Sequence, residues 1–297
     1  MGFRSTVTIA VLAGLVFASA CVDIVGADLA KYVEREEKHF TTPGKPDVSV
    51  ATFDGSIEVR PWDRAEVQVI VEKRAIDKKS VQTIDVQTRQ DGNHIVVEVK
   101  VPQRKGFGIH FARRTAKLIV SVPAVADLSA RSGDGSIDVE GITGRVELRS
   151  GDGGIHASRL DGDIKAHTGD GSIRLDGVKG ALNVDTGDGS IVADGTFSSV
   201  RARSGDGSVR ITAESGSAAD GDWDITTGDG SVTLALPDTF GAQIDAHTGD
   251  GSIHMQDVTL SNVTGQIAKN TVRGTLGAGG STVRVRTGDG SITSKRS

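Results

Sequence analysis

The chain has 297 residues, a formal net charge of −5, 39 glycines, one cysteine and only 4% aromatic residues. The mild acidity argues against the basic stripe of a nucleic-acid binder, and so few aromatics leave only a thin aliphatic core. One cysteine excludes an internal disulfide, and past the N-terminus no apolar run approaches the ~18 residues of a membrane-spanning helix.

Residues 1–20 read as a signal peptide: Arg4 supplies the positive start, and Val7 to Ala20 is apolar or small, ending Ala18-Ser19-Ala20. Cys21 follows directly. Ser19-Ala20-Cys21 matches the end of a lipobox, although Ala18 stands where leucine is usual. Lipidation of Cys21 would hold the protein on a membrane, because two acyl chains anchor stably where one does not. The alternative is secretion with a free thiol. Both readings export the mature protein.

Residues 21–47 read as the anchor site and a tether, built of the charged run Lys31 to His39 and then Pro43-Gly44-Lys45-Pro46. A helix over Ala27–Lys38 has too sparse an apolar face.

From residue 48 to 123 the pattern is β, at irregular spacing. Val48 and Val50, Ile57 and Val59, then Val67, Val69 and Val71 alternate with polar residues. Asp54-Gly55-Ser56-Ile57 is a degenerate copy of a motif that recurs throughout the C-terminal half. Ile84–Gln90 and Ile95–Val101 flank Asp91-Gly92-Asn93, a hairpin signal. This region caps the repeats C-terminal to it, or runs beside their first coils.

Residues 124–297 are organised by TGDGSI and its variants, whose first glycines stand at 133, 151, 169, 187, 205, 228, 249 and 288. The first four steps are all 18 residues, the mark of a solenoid. Apolar pairs recur every nine residues, at 137/139, 146/148, 155/157, 164/166 and onward to 209/211. Since i and i+2 share a face of a strand, each pair marks a short strand, and each 18-residue coil has two. Ile142, Leu160 and Val178 close one end of the core. After Gly205 the steps lengthen to 23, 21 and 39 residues, which reads as inserted loops and one lost motif copy. The terminal Lys295-Arg296-Ser297 would protect the last open edge. The fold class is therefore all-β, a parallel β-solenoid of ~18-residue coils, capped by the irregular β region.

Gly-Asp-Gly suits a sharp turn, because glycine reaches positive φ and aspartate bonds its own turn amides. The flanking Ser/Thr and Ser would stack as hydroxyl ladders. A second reading is cation binding: stacked coils set Asp134, Asp152, Asp170, Asp188 and Asp206 in one row, as in calcium-binding β-rolls. Against it, the second edge lacks matching aspartates, and a row of Arg131, Arg149, His167, Arg203, His247 and Arg286 would balance the charge without metal. A further patch, Lys100, Arg104, Lys105, Arg113, Arg114 and Lys117, contains no acid and holds Phe107, Ile109 and Phe111 between its cations. It reads as a solvated hairpin tip or as a contact for anionic head groups. No catalytic set, metal site or cofactor site can be nominated, and nucleic acid is not an expected partner.

The order of motifs resembles a known bacterial family. DGSIEV (54–59), LIVSVP (118–123), the serial GDGSI coils and GTLGAGGSTVRVRTGDGSI (274–292) together look like the adhesin-like β-strand-repeat proteins, a family of unknown function, over residues 40–294. The resemblance implies a right-handed parallel solenoid in the bacterial envelope and supplies no catalytic residues. The expected function is a non-enzymatic, membrane-anchored envelope protein that presents a rigid solenoid to an envelope protein or glycan. A module sensing envelope stress and a calcium-stabilised β-roll are the alternatives.

Overall fold

The computed structural model describes residues 19–21, 32–102, 114–266 and 270–297. The signal-peptide reading over residues 1–18 and residues 22–31 of the tether lie outside the described residues.

Each 18-residue repeat folds into one rung of two strands, one in each of two facing sheets. In the first sheet, face A, Val146–Arg149 runs parallel between Asp127–Ser132 and Asp161–Thr168, with Val146 opposite both Leu128 and Ile164. In the second, face B, Ile155–Ser158 lies parallel between Ile137–Glu140 and the start of Ile173–Thr186, with Ile155 opposite Ile137 and Ile173. The register advances by one repeat per rung, so like residues stack on like. The pairs nine residues apart point inward as expected: Ile137, Val139, Val146 and Leu148 are fully buried, and so are Ile142 and Val178 at the second turn.

Towards the C-terminus the aliphatic core gains aromatics. Phe197, Trp223 and Phe240 are buried, with ring centroids 6.1 Å apart for the first pair and 5.0 Å for the second, both edge-on. Edge-on contact suits the ring quadrupoles.

The rungs do not stack in chain order at either end. The rung of Asp47–Thr52 and Ile57–Trp62 sits inside the stack. On one side it pairs with Asp127–Ser132 and Ile137–Glu140, on the other with His94–Lys100 and Arg114–Pro123. The C-terminal end mirrors this. Thr282–Thr287 inserts between Trp223–Thr227 and Ala242–Thr248, and Ile292–Arg296 between Val232–Leu236 and Ile253–Gln256. This corrects two expectations. No coil has been lost in the long 39-residue step, which instead carries a hairpin, Leu260–Gln266 with Thr271–Leu276, laid antiparallel against Ala242–Thr248. Nor do the terminal charges guard an open edge. Lys295 lies between Ala235 and Gln256, and Arg296 donates to the Pro237 carbonyl at 2.9 Å.

The tether is the third correction. Tyr32–Thr41 is a strand, paired antiparallel along its length with Glu66–Ala75, and Ser19–Cys21 lies beside it. Its inward residues include Glu34, Glu36 and Lys38 rather than an apolar row, so the composition reads as linker. Glu36 and Lys38 are matched. Lys73, buried on the neighbouring strand, pairs with Glu36, which also holds Lys38 at 3.3 Å. Burial works to raise the Glu36 carboxyl, but Lys73 and Lys38 together hold it below its ordinary value. Phe40 and, beyond the sheet, Val81 and Ile84 close this end of the core. Val81 belongs to the short helix Lys78–Val81, capped by Asp77 accepting from the Ser80 amide at 2.8 Å.

Candidate interaction surface

The Gly-Asp-Gly turns line one edge of the solenoid, and they are built differently from the sequence expectation. Among the described residues, no glycine of the turns from 133 to 290 has positive φ. Glycine is required by close stacking instead: a Cβ on Gly171 would overlap the Gly153 carbonyl, and one on Gly189 the Gly171 carbonyl. The first glycines bond down the stack in the interleaved order, Gly205 to Gly187, Gly228 to Gly205, Gly288 to Gly228 and Gly249 to Gly288, at 2.5 to 2.7 Å.

The hydroxyl before each turn is buried and staples neighbouring rungs. Thr168 Oγ1 donates to the Gly153 carbonyl at 2.8 Å, Ser204 Oγ to Gly189 at 2.9 Å and Thr227 Oγ1 to Gly207 at 2.7 Å. Within its own rung the same oxygen accepts, as Ser204 Oγ does from the Gly207 amide at 3.0 Å. These hydroxyls thus bond backbone and form no ladder among themselves. The trailing serines, such as Ser172 and Ser190, are exposed.

Asp134, Asp152, Asp170, Asp188 and Asp206 stand in single file and exposed on this edge, joined by Asp229, Asp289 and Asp250. At the ~4.8 Å rung spacing, neighbours repel by only about 1 kcal/mol in water. The Arg/His row does not neutralise them. Five of its members turn to acids on face A: Arg131 and Arg149 to Glu147 at 3.1 and 3.0 Å, His167 to Asp185 at 2.9 Å, Arg203 to Asp224 at 3.1 Å and Arg286 to Asp245 at 2.8 Å, while His247 meets the Thr271 hydroxyl at 3.0 Å. Among the described residues, no ion pair reaches the turn aspartates, and no three His, Cys, Asp or Glu side chains converge so as to hold a metal.

Face A carries ordered polar rows. Arg286 hydrogen bonds hold the Asp245 carboxyl below its ordinary value, with Arg273 adding to them against the opposing effect of burial. A shallow open groove of about 310 Å³ crosses the face, edged by Glu147, Arg149, Lys165, His167, Asn183 and Asp185. Through the middle of the face runs the row Glu147, Lys165, Asn183, Arg201, Asp224, Arg284 and Asp245, one residue per rung. Lys165, Arg201 and Arg284 in it have no carboxylate partner among the described residues.

Face B carries a ladder of ion pairs. Arg60 reaches Asp138 at 2.6 Å, His156 bridges Asp138 and Asp176 at 3.2 and 3.1 Å, and Arg174 reaches Asp176 at 2.8 Å. Burial works against ionised Asp138 and Asp176, but these cationic and imidazole partners outweigh it, and both carboxyls are held below their ordinary values.

Of the six cations in the patch, Arg104, Lys105 and Arg113 lie outside the described residues, as do Phe107, Ile109 and Phe111. Lys100 pairs with Glu98 and Lys117 with Glu58, each at 2.7 Å, and Arg114 is half-buried. Register explains the patch. Val99 lies opposite Thr52 and Leu118 opposite Ile57, so the chain linking the two strands is longer in this rung, 100–117, than in its neighbour, 53–56. Cys21 falls in the strand Ser19–Cys21.

Fold and surface together define a class: a parallel β-solenoid with interleaved ends, stapled turns and ordered outward rows. Residues 46–294 match the family model described as Toastrack DUF4097. The chain belongs to that family, and the resemblance drawn from its motifs is borne out. Among solved structures it is similar to a proposed adhesin from Bacteroides fragilis, at 9% identity and a TM-score of 0.37, covering 88% of this chain and 96% of that one. It is also similar to a proposed lipid-binding protein from Parabacteroides distasonis, at 15% identity and a TM-score of 0.44, with 88% and 96% covered. A proposed cell adhesion protein from Clostridium sporogenes shares 12% identity at a TM-score of 0.29, with 89% and 100% covered. Comparison with curated proteins finds no match. No described helix is long and apolar enough to cross a membrane.

Proposed function

We propose that the protein is a non-enzymatic component of the bacterial envelope, exported and anchored through Cys21, whose solenoid presents face A to an envelope partner. The coil is right-handed in this reading, in line with the handedness of parallel crossovers. One observation carries the choice of face. Glu147, Asp185, Asp224 and Asp245 of face A are engaged by neighbouring Arg and His side chains, while Lys165, Arg201 and Arg284 stand in its middle row without a carboxylate among the described residues. Cations left over on a rigid surface favour a partner that brings anionic groups. The tightly bonded rungs beneath fix the backbone that carries those cations, so no backbone ordering opposes binding.

The test uses immobilised protein and solubilised envelope from the native cell. Wild type retains a partner, and the variant Lys165→Ser/Arg201→Ser/Arg284→Ser, which leaves every ion pair of the face intact, retains about ten-fold less. Equal retention by both would contradict the reading.

A further inference from the structure

Five large apolar side chains are exposed among the described residues, and three of them share one corner of the cap: Tyr32 at 48%, Val33 at 40% and Ile76 at 50%. The register brings their backbones to one end of the sheet. Tyr32 lies opposite Ala75 and Val33 opposite Arg74, on opposite faces of the strand pair, and Ile76 follows the end of the strand Glu66–Ala75. This grouping is not a consequence of the repeat, most of whose outward positions are polar or charged.

Two features say what covers the corner. The first is charge. Arg35 and Arg74 lie exposed on the same two strands, and the helix Lys78–Val81, which packs on both strands, adds exposed Lys78 and Lys79. Arg35, Lys78 and Lys79 have no carboxylate partner among the described residues. Apolar side chains at a strand end, with unpaired cations beside them, match the interface of a membrane with anionic lipid, where the apolar groups enter the boundary and each cation near the surface gains from its potential. The second is where the chain leaves. Residues 22–31, which follow Cys21, join the fold at Tyr32. Residues 103–113 rejoin it at Arg114, which lies opposite the same Ala75. The chain that leads from the candidate lipid site therefore arrives at this corner.

We infer that the corner formed by Tyr32, Val33 and Ile76 with Arg35, Lys78 and Lys79 docks on an anionic lipid surface. This seats the cap end of the solenoid against the membrane and points the repeats away from it. The inference concerns the opposite end of the molecule's work from face A, and it does not need face A to bind anything.

The experiment uses the exported chain from residue 21 onward with Cys21→Ser, so that no acyl chain contributes. It is sedimented with vesicles of phosphatidylcholine, with or without phosphatidylglycerol. Binding is expected to the mixed vesicles and not to phosphatidylcholine alone. Tyr32→Ser/Val33→Ser/Ile76→Ser and, separately, Lys78→Glu/Lys79→Glu should each weaken it about ten-fold or more. All five positions are exposed, so unchanged circular dichroism confirms that the variants fold. The Lys165→Ser/Arg201→Ser/Arg284→Ser variant should bind vesicles like wild type, which separates failure here from failure of the face A reading. Absence of binding to the mixed vesicles, equal binding to both vesicle types, or unaltered binding by both corner variants overturns the inference. So does a wild-type dimer that the apolar variant dissolves without any vesicle binding, since the corner would then serve a second copy.

Discussion

Glycine in the Gly-Asp-Gly turns is chosen for contact rather than for conformation. In Gly-Asp-Gly the carbonyl of one rung sits where the next rung's Cβ would be, so the two rungs can approach to sheet spacing only if that atom is missing. Gly154 is the informative exception. It stands where Ser136, Ser172 and Ser190 stand in neighbouring copies, its φ is not positive, and the nearest atom to a Cβ there is the Ser172 carbonyl oxygen at 3.4 Å. Gly171→Ala should therefore destabilise by about 2–4 kcal/mol through forced separation of rungs. Gly154→Ser should fall within about 0.5 kcal/mol of wild type, or stabilise slightly by restricting the unfolded chain. Urea denaturation of the two variants checks the pair, and equal costs would show that glycine serves backbone freedom after all.

Among the elements, the strands of face B make stability depend on pH. Asp138 and Asp176 carry folded-state pKa values below their ordinary ones, because Arg60, His156 and Arg174 favour the carboxylates against burial. A depressed carboxyl contributes stability that is present above its unfolded value, about 4, and lost as pH falls through the lower folded value. The melting temperature should hold level from neutral pH to about 5 and fall below about 4. Asp138→Asn/Asp176→Asn should melt lower at neutral pH and show a shallower acid decline. A decline as steep as wild type would assign the acid lability to other groups. The inward strand pattern was legible in the sequence, because burial of alternate residues leaves a period of two: Ile137 with Val139 and Val146 with Leu148 needed nothing else. The strand Tyr32–Thr41 was not, because Lys73 on a partner strand matches its inward Glu36 and so removes the apolar signal. The partners of the Arg row were hidden for a similar reason. A strand pattern says that Arg203 points outward, but only the stacking register says that Asp224 is beside it.

Across the whole molecule, what the sequence conceals is rung order. The rungs that carry the Gly-Asp-Gly motif share the same stapling hydroxyl and the same glycines, with like inward pairs, so one such rung can stack on another with closely similar chemistry. Periodicity therefore gives the rung and leaves its neighbours open. The interleaved ends order the surface on which the proposed function rests, since Arg284 stands between Asp224 and Asp245 in the middle row of face A only if Thr282–Thr287 inserts between Trp223–Thr227 and Ala242–Thr248. Disulfide trapping tests this directly in a Cys21→Ser background, which leaves no other cysteine. Ser231 and Ser291 lie side by side, with the Ser291 amide donating to Ser231 Oγ at 3.3 Å, while Ser252 lies on the far side of Ser291. Adjacent rungs fall within the Cα separation of about 4.4–6.8 Å that a disulfide spans, and rungs two apart, at roughly 9.6 Å, do not. Ser231→Cys/Ser291→Cys should oxidise to a bridged species, and Ser231→Cys/Ser252→Cys should stay reduced. Bridging of the 231/252 pair, with 231/291 left open, would mean that the rungs stack in chain order and that face A is not the surface described.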